Sequence, residues 1–86
     1  MTYFVQEHDS RFMVMGARGA MLRDGGFGQF GEPVLFSDRA RAEAKAAWLN
    51  LPTSVALMTA SEKRAARAEI AGRFGIAADV ARGLLN

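Results

Sequence analysis

The sequence predicts an α+β fold in the order β-β-β-α-α-α: a small antiparallel three-stranded sheet covered by a helix, then a carboxyl-terminal helical hairpin. Three observations predict it. Aromatic and β-branched runs bracket a short polar turn in the first fifteen residues. An alanine-rich stretch with one tryptophan repeats at helical spacing over residues 38–51. Finally, a capping pattern, apolar residues four apart and a glycine break mark the last third as two helices. A chain of 86 residues has room for one domain, 1–86, with a β-β-β-α unit over 1–51 and the helical hairpin over 52–86.

Tyr3-Phe4-Val5-Gln6 and Arg11-Phe12-Met13-Val14-Met15 have strand composition, and Glu7-His8-Asp9-Ser10 between them favours a turn. Gly16 and Gly19 then interrupt. Ala20-Met21-Leu22 reads either as the second strand continued past a bulge or as a short strand of its own. A glycine and aromatic loop follows, Asp24 to Pro33. Pro33 opens the third strand, where no ladder donor is needed, and Val34-Leu35-Phe36 supplies a short buried stretch.

Ser37 is the expected cap of a helix running from Asp38 to Leu51, with Asp38 in its first turn near the positive end of the dipole. Ala40, Ala44, Ala47, Trp48 and Leu51 share one face, and Pro52 stops the helix. Small alanines let that face lie close to a sheet, with Trp48 as the large core anchor. Residues 53–58 fit a helical turn or an extended piece equally well. Thr59 and Glu62 form a capping-box pattern opening a helix in which Ala66, Ile70 and Phe74 stack. Gly75 ends it, and Val80, Ala81, Leu84 and Leu85 give the next segment its apolar stripe.

The composition, half hydrophobic and 23% charged, belongs to a globular chain. No cysteine is present, so neither disulfides nor thiolate zinc can brace it. The longest uncharged run, Ala46 to Ser61, is too short and too polar for a membrane span, and no secretion signal is visible at the amino end, so a cytoplasmic location is expected. Net charge is +2, unevenly spread: three arginines face four acids in residues 1–37, and eight basic residues face five acids in 38–86. Nine of the eleven basic residues are arginine, which suits bidentate contacts to carboxylate or phosphate, although a GC-rich coding habit also produces that bias.

Gly26-Phe27-Gly28-Gln29-Phe30-Gly31 spells G-x-G-x-x-G, but a proline and a strand follow where a dinucleotide site requires a helix amino terminus. The glycines instead carry Phe27, Gln29 and Phe30 on a turned backbone beside Arg18 and Arg23. Those rings either cap the sheet edge or stay exposed as a platform for a protein partner or unpaired bases. His8 is the lone histidine, with no second histidine or cysteine to complete a metal site, and with scattered carboxylates it would make only a weak one; Glu7 and Asp9 lack a pocket for acid-base work. No enzymatic activity and no cofactor are expected.

Glu69-Ile70-Ala71-Gly72-Arg73-Phe74-Gly75-Ile76 resembles the first helix and turn of a bacterial helix-turn-helix motif. That resemblance implies a reading face of Ala77, Ala78, Asp79, Arg82, Gly83 and Asn86, with Arg64, Arg67, Arg73 and Arg82 on phosphates. In size and character the chain is similar to small phage- or mobile-element-encoded inhibitors of the anti-CRISPR kind. This likeness implies a non-enzymatic protein that sterically blocks a nucleic-acid-handling complex; the residues themselves nominate the loop, with Phe27, Gln29, Phe30, Arg18 and Arg23, and the helical face of Arg64 and Arg67 as its binding surface. The alternatives are a small DNA-binding regulator acting as a homodimer, with direct contact to nucleic acid, and a self-assembling structural or adaptor subunit in which Val55 to Met58 bury against another copy; no membrane partner is expected in any of them.

Overall fold

The computed structural model describes residues 2–24, 26–27 and 31–86, the side chain of Phe27 excepted. Strand β1 (Phe4–His8) pairs antiparallel with β2 (Arg11–Met15), Phe4 opposite Met15 and His8 opposite Arg11. Asp9 and Ser10 close the hairpin with φ of 51° and 64°, the left-handed pair that matches a two-residue turn to strand twist. The expected hairpin is therefore present, with its turn narrowed to those two residues.

After β2 the chain makes a 3₁₀ turn at Ala17–Gly19, and Met21 then bridges back to Met15. Strand β3 (Leu22–Arg23) pairs with β4 (Gly26–Phe27) as a second two-stranded sheet. The expected continuous three-stranded sheet is replaced by these two pairs and a linking segment at residues 33–36. Phe36 exchanges both backbone hydrogen bonds with Phe12, at 2.9 and 2.8 Å, while Pro33 bridges Arg23. Pro33 sits between the bonds Asp24 N to Glu32 O and Val34 N to Leu22 O, both 3.0 Å, at a position that asks for no N–H. Leu35, expected to be buried, is 46% exposed, while its neighbour Phe36 takes the place against the Val14, Ala42 and Ala46 cluster.

Helix α1 spans Arg39–Leu49, and its cap is Asp38 rather than Ser37: the Asp38 carboxylate accepts from Ala40 N at 2.9 Å. The helix closes at Asn50, before Leu51 and Pro52. Asn50 also fastens the start of the chain, accepting from Tyr3 N at 3.0 Å and donating to Tyr3 O at 2.8 Å. In place of the single apolar face read from the sequence, α1 buries two flanks. Ala42 and Ala46 pack with Val14 and with Val5, Phe12 and Phe36 of the sheet region. Ala44 and Trp48 pack instead with Ile70, Ala71, Ala81 and Leu85. Alanine on both flanks lets each layer approach the α1 backbone, so the helix is the middle layer of three.

Residues 55–57 form a 3₁₀ turn, deciding the conformation that the sequence left open. Helix α2 (Ala60–Phe74) begins with the full capping box: Thr59 Oγ1 accepts from Glu62 N at 3.1 Å, and Glu62 Oε1 accepts from Thr59 N at 2.8 Å. That backbone hydrogen bond stabilises the carboxylate and holds the Glu62 pKa below its ordinary value. Gly75 ends α2 in the left-handed region at φ 67°, and Ile76 N returns to Ala71 O at 2.8 Å. Helix α3 (Ala78–Leu84) completes the hairpin, with Ala81 and Leu85 buried against Trp48 and Ile70.

Candidate functional site: an arginine-rimmed groove

The last residues of the chain leave backbone carbonyls that α3 itself cannot satisfy. Three side chains from the neighbouring helices take them in succession. Lys45 Nζ donates to Leu84 O at 3.1 Å, Arg67 Nε to Leu85 O at 3.0 Å, and Trp48 Nε1 to Asn86 O at 3.1 Å. Burial of the Lys45 ammonium lowers its pKa. The Arg67 guanidinium lies 5.6 Å from the Trp48 ring centroid, so stacking and a hydrogen bond together fix its plane.

This latch holds α3 beside α2 with an open groove between them, about 540 Å³ in volume. Its floor consists of Ala68, Ala71, Gly72, Ile76, Ala78 and Ala81. Arg64, Arg67 and Arg82 stand around it, and no carboxylate lines it. The groove exists because small side chains on both helices leave the space between two backbones unfilled. A Cβ added at Gly72 would meet nothing within 4 Å.

The arginines of this protein divide by what they touch. Arg39 pairs with Glu7 at 3.5 Å and Glu43 at 3.9 Å while covering the Phe12 ring at 4.8 Å. Arg41 pairs with Asp38 at 3.8 Å, and Arg73 with Glu69 at 2.6 Å. Arg64 and Arg82 are exposed and make no ion pair or hydrogen bond among the described residues. Arg67 uses only Nε there, leaving both Nη nitrogens available. Of the sequence-nominated helical residues, then, Arg64, Arg67 and Arg82 converge on one groove and Arg73 is engaged elsewhere.

The glycine-loop nominees do not join that groove. Arg18 is exposed in the 3₁₀ turn at φ 63°, and Arg23 donates from Nη1 to Gly31 O at 3.0 Å. Gln29, Phe30 and the side chain of Phe27 lie outside the described residues. The residues nominated as a DNA-reading face, Ala77, Ala78, Asp79, Arg82, Gly83 and Asn86, are all exposed. His8 meets Asp9 at 3.1 Å with both side chains mostly in solvent, a pair that water screens. Among the described residues no group of three or more His, Cys, Asp or Glu is placed to hold a metal ion, and no helix is long and apolar enough to cross a membrane.

Sequence reasoning missed the groove floor and the latch. Apart from Ile76 the floor is written in alanine and glycine, which carry no chemical label, and the latch joins side chains to backbone acceptors that every residue possesses. The excess of arginine in the carboxyl half was the one available signal. The chain matches no family model, no curated protein and no solved structure.

Proposed function

We propose that this chain is a non-enzymatic binding protein that acts by covering a surface on a larger nucleic-acid-handling protein complex, as small phage- or mobile-element-encoded inhibitors do. The observation that carries the reading is the α2–α3 groove: an apolar floor with Arg64, Arg67 and Arg82 at its margin and no acid lining it. Such a surface suits side-chain insertion flanked by charge-assisted hydrogen bonds. Occlusion requires no turnover, so the binding surface itself is the working part.

The test is affinity capture from lysate, before and after nuclease treatment, with the native chain and with an Arg64→Glu/Arg82→Glu variant. The expected result is a protein that survives nuclease treatment, is lost with the variant, and whose action on nucleic acid falls when the native chain is added. Recovery of nucleic acid alone, or a captured complex whose activity is unchanged, would overturn the reading.

A second reading keeps direct duplex binding, favoured by one observation: the α2, Gly75, α3 arrangement leaves the whole helix-turn-helix-like reading face exposed. It is the weaker of the two on charge. Arg82 is the single cation on the seven-residue α3, and Asp79 in its first turn would meet phosphate. Affinity that falls steeply with salt and loses slope in Arg82→Ala would favour it.

A further inference from the structure

We infer that the occupant of the α2–α3 groove is an acidic amphipathic helix of a partner protein, its apolar side chains on the alanine and glycine floor and its carboxylates on Arg64, Arg67 and Arg82. The inference rests on the binding role proposed above and names the chemistry of the partner.

Charge is the first argument. Three guanidinium groups border the groove without a lining carboxylate, and two of them have no partner among the described residues. A carboxylate arriving there displaces no existing ion pair. Arg67 contributes most to specificity, because the Leu85 carbonyl and the Trp48 ring already hold its guanidinium plane. A fixed fork loses little side-chain entropy on binding a carboxylate, and its two Nη nitrogens present the bidentate edge.

Shape is the second argument. Ala68, Ala71, Gly72, Ala78 and Ala81 make a floor with no large side chain except Ile76, so another backbone can come close. About 540 Å³ accommodates a few side chains, the number that one helix face presents at positions i, i+3 or i+4, and i+7. Arg64 and Arg67 stand on α2 and Arg82 on α3, so cations flank the floor from two elements. An apolar stripe with acids beside it complements that order. Duplex DNA complements it poorly, since a phosphate ridge has nothing to place on an apolar floor.

The experiment uses the full chain and a fluorescent synthetic helix with leucine at i, i+4 and i+7 and glutamate beside them, together with a lysine-for-glutamate version and a duplex oligonucleotide. A Cβ at Gly72 meets nothing within 4 Å, so Gly72→Leu places its side chain over the groove while replacing a helix-interior glycine with a better helix former, and a thermal melt of the variant matching the native chain separates a loss of binding from unfolding. Gly83→Ala, where added volume also meets open space but outside the groove lining, is the matched control. The expected result is saturable binding of the acidic helix, weakened roughly tenfold or more by Gly72→Leu and by Arg64→Glu/Arg82→Glu, and unchanged in Gly83→Ala. Equal binding of the lysine version, no binding of the acidic helix, or indifference to Gly72→Leu would overturn the inference. So would tighter binding of the duplex than of the acidic helix. If the helix fails while capture still yields a nuclease-resistant protein dependent on Arg64 and Arg82, the occupant is wrong and the binding role stands.

Discussion

The two flanks of α1 are built from the same small residue and end differently. On the sheet side, Ala42 and Ala46 are met by Val14, Phe12 and Phe36, and large side chains fill the gap. On the carboxyl side, Ala44 and Trp48 share a cluster with Ile70, Ala71, Ala81 and Leu85, in which Trp48 is the largest buried side chain. The sheet flank thus closes on itself. The carboxyl flank packs its inner layer through Trp48, holds its outer helix by three side-chain bonds to backbone, and leaves a trough between α2 and α3. Where alanine faces a large residue it makes core; where alanine faces alanine it makes a surface that something else can fill.

The largest expected effect breaks the comparison at its centre. Trp48→Ala removes an indole that is 1% exposed, with its bond to Asn86 O, and should lower unfolding free energy by about 4 kcal/mol. Val14→Ala on the other flank should lower it by about 2 kcal/mol. Denaturant unfolding measures both, and equal losses would mean that the carboxyl flank does not depend on one side chain.

Gly75→Ala should cost about 1 kcal/mol, purely through left-handed backbone strain, because nothing lies within 4 Å of the added methyl. A larger loss in the same measurement would indicate packing at the α2–α3 turn beyond the backbone requirement.

Two titrations sharpen the comparison further. Lys45 has a lowered pKa when folded, so the unfolded chain binds more protons between that value and 10.5, and stability should rise with pH across that alkaline window. Lys45→Met should flatten the rise. Glu62 is also lowered when folded, so its contribution is complete above 4.5 and is lost as pH falls through the folded value. Glu62→Gln should therefore remove part of the acid-side loss in a series of thermal melts. The smallest effect is expected at the groove margin: Arg64→Ala should change stability by less than about 0.5 kcal/mol, since that side chain touches no partner among the described residues.

The elements with strong local signals were legible in the sequence. The aromatic and β-branched runs around the first polar turn, the Thr59 and Glu62 box and the glycine at 75 each carry a mechanism within a few residues, and each element forms, the first turn being narrowed to Asp9 and Ser10. Trp48 as a core anchor was legible too. The sheet beyond β2 was less so, because Met15 to Met21, Arg23 to Pro33 and Phe12 to Phe36 are single bridges set by tertiary contact. Asp38 displaced Ser37 as the cap because the choice between adjacent polar residues depends on where the backbone turns. The two-flanked burial of α1 was hidden in its alanines, which fit any face. Of the candidate site, the arginines were visible and their convergence was not, since it depends on how α3 is latched.

The most direct test of the central claim is an amide chemical-shift titration of the native chain with the acidic amphipathic helix. The account predicts that shifts concentrate at Ala68, Ala71, Gly72, Ala78 and Arg82 and leave Gln6, His8 and Arg11 of the hairpin unmoved. Shifts centred on the hairpin, or spread evenly over the exposed arginines including Arg39 and Arg41, would contradict it.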